Sequence, residues 1–212
     1  DIPVSDLTAY LDQVRAAVKQ PVSTAEPWHV WLRHPELADH VDYLAVHMLP
    51  YWEGISAEDS IGYIDAKVAE LEKTFPGKKI VLAEVGWPSN GRTREAAVAS
   101  APNEAMFLRR FPSRAREQGY VYYLMEAFDQ PWKAQSEGSV GAYWGVWNVD
   151  REDKFPFKAP IVRIPEWRTL AAIAVALALL LFTVFSLDGR RLATSGRSFL
   201  AVVAYATTTT VV

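Results

Sequence analysis

The run Lys78-Lys79-Ile80-Val81-Leu82-Ala83-Glu84-Val85-Gly86-Trp87-Pro88-Ser89-Asn90-Gly91 passes from two lysines through an apolar stretch to a carboxylate, then into a turn of Gly, Pro and Asn. Its apolar residues are nearly continuous, the pattern of a strand covered on both faces rather than one half open to water. Three further runs of this kind lie at Pro21 to Glu26, Val41 to Leu49 and Tyr120 to Phe128. Helical spacing separates them. Ser5 or Asp6 opens a stretch with Leu7, Tyr10, Leu11, Val14 and Val18 on one face, and Ser56 with Asp59 opens another with Ile61, Ile64, Val68 and Leu71. A third pattern runs from Thr93 to Gln118, broken at Pro102 and recapped at Asn103. Buried strands joined by helical crossovers imply an α/β fold with a parallel sheet.

The strand ends narrow the architecture. Each run finishes on a polar or charged residue followed by Pro and an aromatic: Glu26, Pro27, Trp28; His47, Pro50, Tyr51, Trp52; Glu84, Trp87, Pro88; Glu126, Asp129, Pro131, Trp132. A (β/α) barrel gathers all its C-terminal strand ends on one rim, where active sites are built, whereas a doubly wound sheet concentrates them at one switch point. Four strands are half of such a barrel. Residues 1–165 therefore read as the C-terminal half, strands 5–8, of a (β/α)8 TIM barrel, and the chain as an internal piece whose other half is expected before Asp1.

Composition separates this part from a second one. Of 212 residues, 50% are hydrophobic and the net charge is -3 with both signs mixed, which excludes disorder and argues against a nucleic-acid surface. Cysteine is absent, excluding disulfide scaffolds, thiol nucleophiles and thiolate zinc sites. The 18 residues Leu170 to Leu187 have only Thr183 and Ser186 as polar interruptions; as a helix they reach about 27 Å, enough to span a hydrocarbon core. Trp167 precedes them, and Arg190, Arg191 and Arg197 follow. The reading is a transmembrane helix over 168–188 in a lipid bilayer, with 198–212 starting a second. If the arginine side is cytoplasmic, the globular part is extracytoplasmic, or periplasmic in a Gram-negative cell. A buried helix of a larger domain is the alternative.

A carboxylate at the end of an apolar strand is costly unless paired or used, so Glu26, Glu84 and Glu126 each need an explanation. For Glu84 a buried ion pair with Arg or Lys and a chemical role are both open. Acidic groups among Trp and Tyr suit carbohydrate, whose C–H faces pack on aromatic planes while hydroxyls take charged partners, and glycosidic cleavage needs two carboxyl groups. Trp28, Tyr51, Trp52 and Trp132 are candidate stacking platforms, with Trp87 as a flat apolar wall. His47, Glu126, Asp129 and Lys133 are candidates for hydroxyl contacts or for tuning the charge of Glu84, although a rim histidine satisfied by backbone explains His47 equally. Glu26 is assigned to substrate binding or to holding the rim. A metal-dependent hydrolase using His47, Glu26 and Glu84 is disfavoured, because none of the four histidines lies in a His-x-His or His-Glu-x-x-His spacing. No metal and no cofactor are expected.

Glu84-Val85-Gly86-Trp87-Pro88-Ser89 with Gly91 resembles the Glu-Thr-Gly-Trp-Pro-Ser signature of glycoside hydrolase family 17, the β-1,3-glucanase family. Phe128-Asp129-Gln130-Pro131-Trp132-Lys133 is similar to that family's Phe-Asp-Glu-Asn stretch and nearby Lys. Glu26 to Trp31, His47 to Trp52 and Tyr143 to Trp147 look like its bacterial, membrane-anchored branch. The resemblance implies an eight-stranded barrel, a retaining mechanism with Glu84 as nucleophile, and a β-1,3-glucan hydrolysed or transglycosylated outside the cytoplasm, in a protein that can be coupled to a glycosyltransferase domain or subunit. Two departures stand out. The Gly-Asn-Glu motif carrying the acid/base is absent and is expected upstream of Asp1, and Val85 and Gln130 replace Thr and Glu. The alternative reading is a non-catalytic glucan-binding scaffold beside a membrane glycosyltransferase.

Overall fold

The computed structural model describes residues 2–161, 166–188 and 194–209, and the chain divides into two units, Asp1–Ile161 and Val162–Val212. The first unit is built on four parallel strands in the order β1 (Ala25–Pro27), β2 (Leu44–Met48), β3 (Ile80–Val85) and β4 (Val121–Leu124). Helix α1 (Val4–Ala17) precedes them. The crossovers are α2 (Trp28–Arg33) with a 3-10 turn, then α3 (Ser60–Thr74), then α4 (Ala101–Gln118). A short α5 (Ala134–Glu137) lies in the loop after β4.

The expected strands are present but shorter: β1 and β2 give mainly their first residues to connections, whereas β4 ends at Leu124 and leaves the stretch up to Phe128 to the loop that follows. Helix α3 starts as its sequence suggests: Ser56 Oγ donates to Asp59 Oδ2 at 2.6 Å and accepts from Asp59 N at 3.1 Å. Helix α4 differs from the expectation. Its N-cap is Ser100, whose Oγ accepts from Asn103 N at 3.4 Å, and Pro102 sits in the first turn, where its missing N–H costs nothing.

Alternation across the sheet separates two faces. Leu44, Val46, Met48 and Leu82 are buried against the crossover helices, and Tyr122 meets Phe111 of α4 edge-on at 5.0 Å. On the other face Ala45 and Val81 are buried near the sheet centre, but Val121 and Tyr123 of β4 are 43% and 65% exposed. Helix α1 also departs from its pattern, since of its expected stripe only Leu11 is buried while Tyr10 and Val14 stay exposed. Among the described strands, β1 and β4 each pair on one side only.

In the second unit, α6 (Trp167–Asp188) contacts α7 (Thr194–Thr209). Helix α6 is long and apolar enough to cross a membrane by length and composition. Of the three arginines behind the expected orientation, Arg190 and Arg191 lie outside the described residues and Arg197 falls within α7.

Candidate active site

The C-terminal strand ends carry the site residues. Glu84 reaches the open face through an irregularity in β3. Val46 pairs with Leu82, but the next residue of β2, His47, pairs with Glu84, so Ala83 is an extra residue. Without that bulge, alternation from Leu82 would place Glu84 on the helix-covered side. With it, Glu84 shares the face of His47, and His47 Nδ1 lies 3.5 Å from Glu84 Oε2. Both side chains keep contact with solvent. The turn behind Glu84 is tight, because a Cβ on Gly86 would run into the Met125 carbonyl oxygen.

Beyond β4, Glu126 is held by side chains from its own loop. Its Oε2 accepts from Lys133 Nζ at 2.7 Å and from Gln130 Nε2. Its Oε1 is buried and has no hydrogen-bond partner among the described residues. Trp132, 66% exposed, stands in the same loop beside Lys133, whose Nζ is 5.8 Å from the ring centroid.

Other expected site residues fall elsewhere. Tyr51 and Trp87 are fully buried rather than open to a sugar: the Tyr51 hydroxyl donates to Arg92 O at 2.5 Å, Trp87 Nε1 donates to Val98 O at 3.1 Å, and the two rings meet edge-on at 6.0 Å. Trp52 stacks on buried Trp144 at 6.0 Å and meets Tyr51 edge-on at 5.2 Å. Trp28 opens α2 and packs toward α3, with Lys67 Nζ 3.9 Å over its ring and Tyr63 edge-on at 6.3 Å, so it is no free platform. Glu26 falls in register with Val46, on the helix-covered face, and accepts from Thr24 Oγ1 at 3.1 Å, which separates it from the His47–Glu84 pair. Asp129 turns inward instead of toward a ligand, accepting from Gly145 N at 2.9 Å and from Lys154 Nζ at 2.9 Å.

Lys154 and its second partner, Glu104, form a buried site group that no motif in the sequence marks. Glu104 is 1% exposed on α4, and burial pushes its carboxyl up to about 8, against the lowering effect of Lys154 and with a further upward push from Asp129. Its signal was its place on the apolar stripe with Phe107 and Phe111; Lys154, inside Asp150-Arg151-Glu152-Asp153-Lys154, had none. Among the described residues, no three His, Cys, Asp or Glu side chains converge as a metal site would require.

Carboxylates on parallel strand ends beside aromatic rings are the layout of a (β/α)-barrel glycoside hydrolase rim. The chain belongs to the BtgE/BtgC glycoside hydrolase domain family, whose model matches residues 1–145. It is 32% identical over 149 residues to the probable family 17 glucosidase SCW4 of Saccharomyces cerevisiae, covering 67% of this chain and 38% of that protein. Its structure is similar to that of a glycoside hydrolase family 17 β-1,3-glucanosyltransferase from Rhizomucor miehei, with a TM-score of 0.66 and 28% identity over 73% of this chain and 57% of that one. An active-site mutant of the Rhizomucor enzyme, in complex with laminaritriose, matches with a TM-score of 0.65, 28% identity and the same coverage of both chains. These relatives are fungal, so the similarity establishes the family and not the bacterial branch suggested by the aromatic stretches.

Proposed function

We propose that this chain supplies the nucleophile half of a retaining glycosidase or transglycosylase acting on β-1,3-linked glucan. The observation that carries the reading is Glu84, turned by the β3 bulge onto the open face beside His47, within the residues matched by the family model. The laminaritriose complex of the similar Rhizomucor enzyme supports a β-1,3-glucan as substrate. The open edges of β1 and β4, with Val121 and Tyr123 uncovered, support four more strands closing the sheet into a barrel, so residues 1–165 form its second half. The acid/base carboxyl then belongs to that other half.

In this mechanism Glu84 attacks the anomeric carbon as the missing acid protonates the leaving oxygen. The glycosyl-enzyme is then resolved by water, giving hydrolysis, or by a sugar hydroxyl, giving transfer. His47 limits the directions in which Glu84 can point. Trp132 offers an apolar plane to a sugar ring beside the Lys133–Glu126 ion pair. Residues 168–188, within α6, anchor the protein in a bilayer with the catalytic part outside the cytoplasm, where a glycosyltransferase domain or subunit can share the same polymer; residues 198–212, of which 210–212 lie outside the described residues, begin a second span.

Product analysis of β-1,3-gluco-oligosaccharides incubated with the full-length protein and its Glu84→Gln variant tests the reading. The expected result is shorter or elongated products from the wild type and a loss on the order of 10³-fold or more in the variant, with glucan binding retained. Wild-type turnover by the variant overturns the role of Glu84.

A further inference from the structure

Glu126 keeps its place through backbone pairing with a segment that follows the sheet. Glu126 N donates to Trp144 O at 2.9 Å, Val146 N to Glu126 O at 2.8 Å, Trp147 N to Ala127 O at 3.0 Å, and Asp129 N to Trp147 O at 2.9 Å. The two backbones approach so closely that a Cβ at Gly145 would collide with Phe128 and Asp129. The Asp129 carboxylate locks the junction from the side, accepting from Gly145 N at 2.9 Å.

Lys154 closes this lock. Its Nζ is ringed by four acceptors, Gly145 O at 2.6 Å, Asp129 Oδ1 at 2.9 Å, Glu104 Oε1 at 3.2 Å and Tyr143 O at 3.4 Å, so the three donors of an ammonium group are all engaged. The Lys154, Asp129 and Glu104 side chains are 8%, 9% and 1% exposed. Ionised groups at that depth persist only when paired and hydrogen-bonded. The segment that brings Lys154 in is itself pinned to α4, where Arg109 donates to the carbonyls of Pro156 at 2.6 Å, Phe157 at 2.9 Å and Ala159 at 2.6 Å.

We propose that Lys154 is a positioning residue of the active rim. Through Asp129 and Gly145 it fixes the segment that holds the Glu126 backbone, and so keeps Glu126, and through its bond to Lys133 the loop bearing Trp132, in place for a bound glucan. The inference rests on the glucan reading above. Lys154 itself touches no substrate and acts only through Glu126.

A double-mutant cycle in the full-length protein tests this, with kcat and KM for β-1,3-gluco-oligosaccharides measured for wild type, Lys154→Met, Glu126→Gln and the double variant. Lys154→Met is expected to lower kcat/KM roughly 10- to 100-fold, and the double variant to fall no further than the worse single one. Losses that multiply, or an unchanged Lys154→Met, overturn the proposal while leaving the glucan reading intact. A wild-type protein inactive on these substrates overturns the glucan reading and this inference together. If Lys154→Met fails to fold, Asp129→Asn, of the same shape but without the charge facing Lys154, takes its place in the cycle with the same expected outcomes.

Discussion

Glu104 shows what burial does to one residue. A glutamate in the unfolded chain releases its proton near 4.5, whereas in the fold burial holds the proton up to about 8. Between those values the folded state binds more protons than the unfolded one, so stability is greatest below the window and declines as pH rises through it to about 8. At neutral pH Glu104 is thus held as the neutral acid beside the Lys154–Asp129 pair. Glu104→Gln, which mimics the neutral acid, is expected to flatten the alkaline fall in melting temperature between pH 6 and 9, and to exceed the wild type above pH 8. Thermal melts across that range check it; a fall as steep as the wild type's places the titration elsewhere. Glu104 was legible as an oddity, a carboxylate on an apolar helical stripe, but its partner lies 50 residues away in a stretch of ordinary surface charges. No local pattern joins them.

At the scale of elements, the existence and order of strands and helices could be read from periodicity, because period 2 and period 3.6 are local properties of the chain. Boundaries and register could not. The bulge at Ala83 comes from the pairing of β3 with β2, a long-range match that leaves one residue unpaired, and it decides which face Glu84 serves. Gly86 follows directly, where the chain passes under the Met125 carbonyl. Gly86→Ala is expected to cost roughly 1–3 kcal/mol in stability and to reduce activity more than that loss implies, since the strand ends bearing Glu84 and Glu126 must part to admit a methyl group. Denaturant melts run beside steady-state kinetics check this; an unchanged kcat in a destabilised variant would show that the turn supports the fold alone.

For the whole molecule, the exposed stripe of α1, the uncovered Val121 and Tyr123 and the free edges of β1 and β4 fit a chain that spans 38% of its yeast relative and 57% of the Rhizomucor chain. Helix α6 is a separate matter. Truncating the full-length protein after residue 166, which removes both proposed spans, is expected to move it from the membrane pellet to the supernatant after alkaline carbonate extraction. Retention in the pellet would show that another segment anchors it. Composition alone marked that helix, because an unbroken apolar run has no soluble use unless a large domain buries it.

The sequence by itself determined the alternation of apolar strands and amphipathic helices, the carboxylates and aromatics at strand ends, and the Glu84 to Gly91 motif that carries the family, since each is written in residues adjacent along the chain. The tertiary structure decided the rest. It buried Tyr51 and Trp87, gave one face of Trp28 to Lys67, placed Glu26 on the far side of the sheet, and turned Asp129 from substrate toward Lys154. Which face a residue serves depends on strand register and on what packs against it, and both are set by segments far away in the chain.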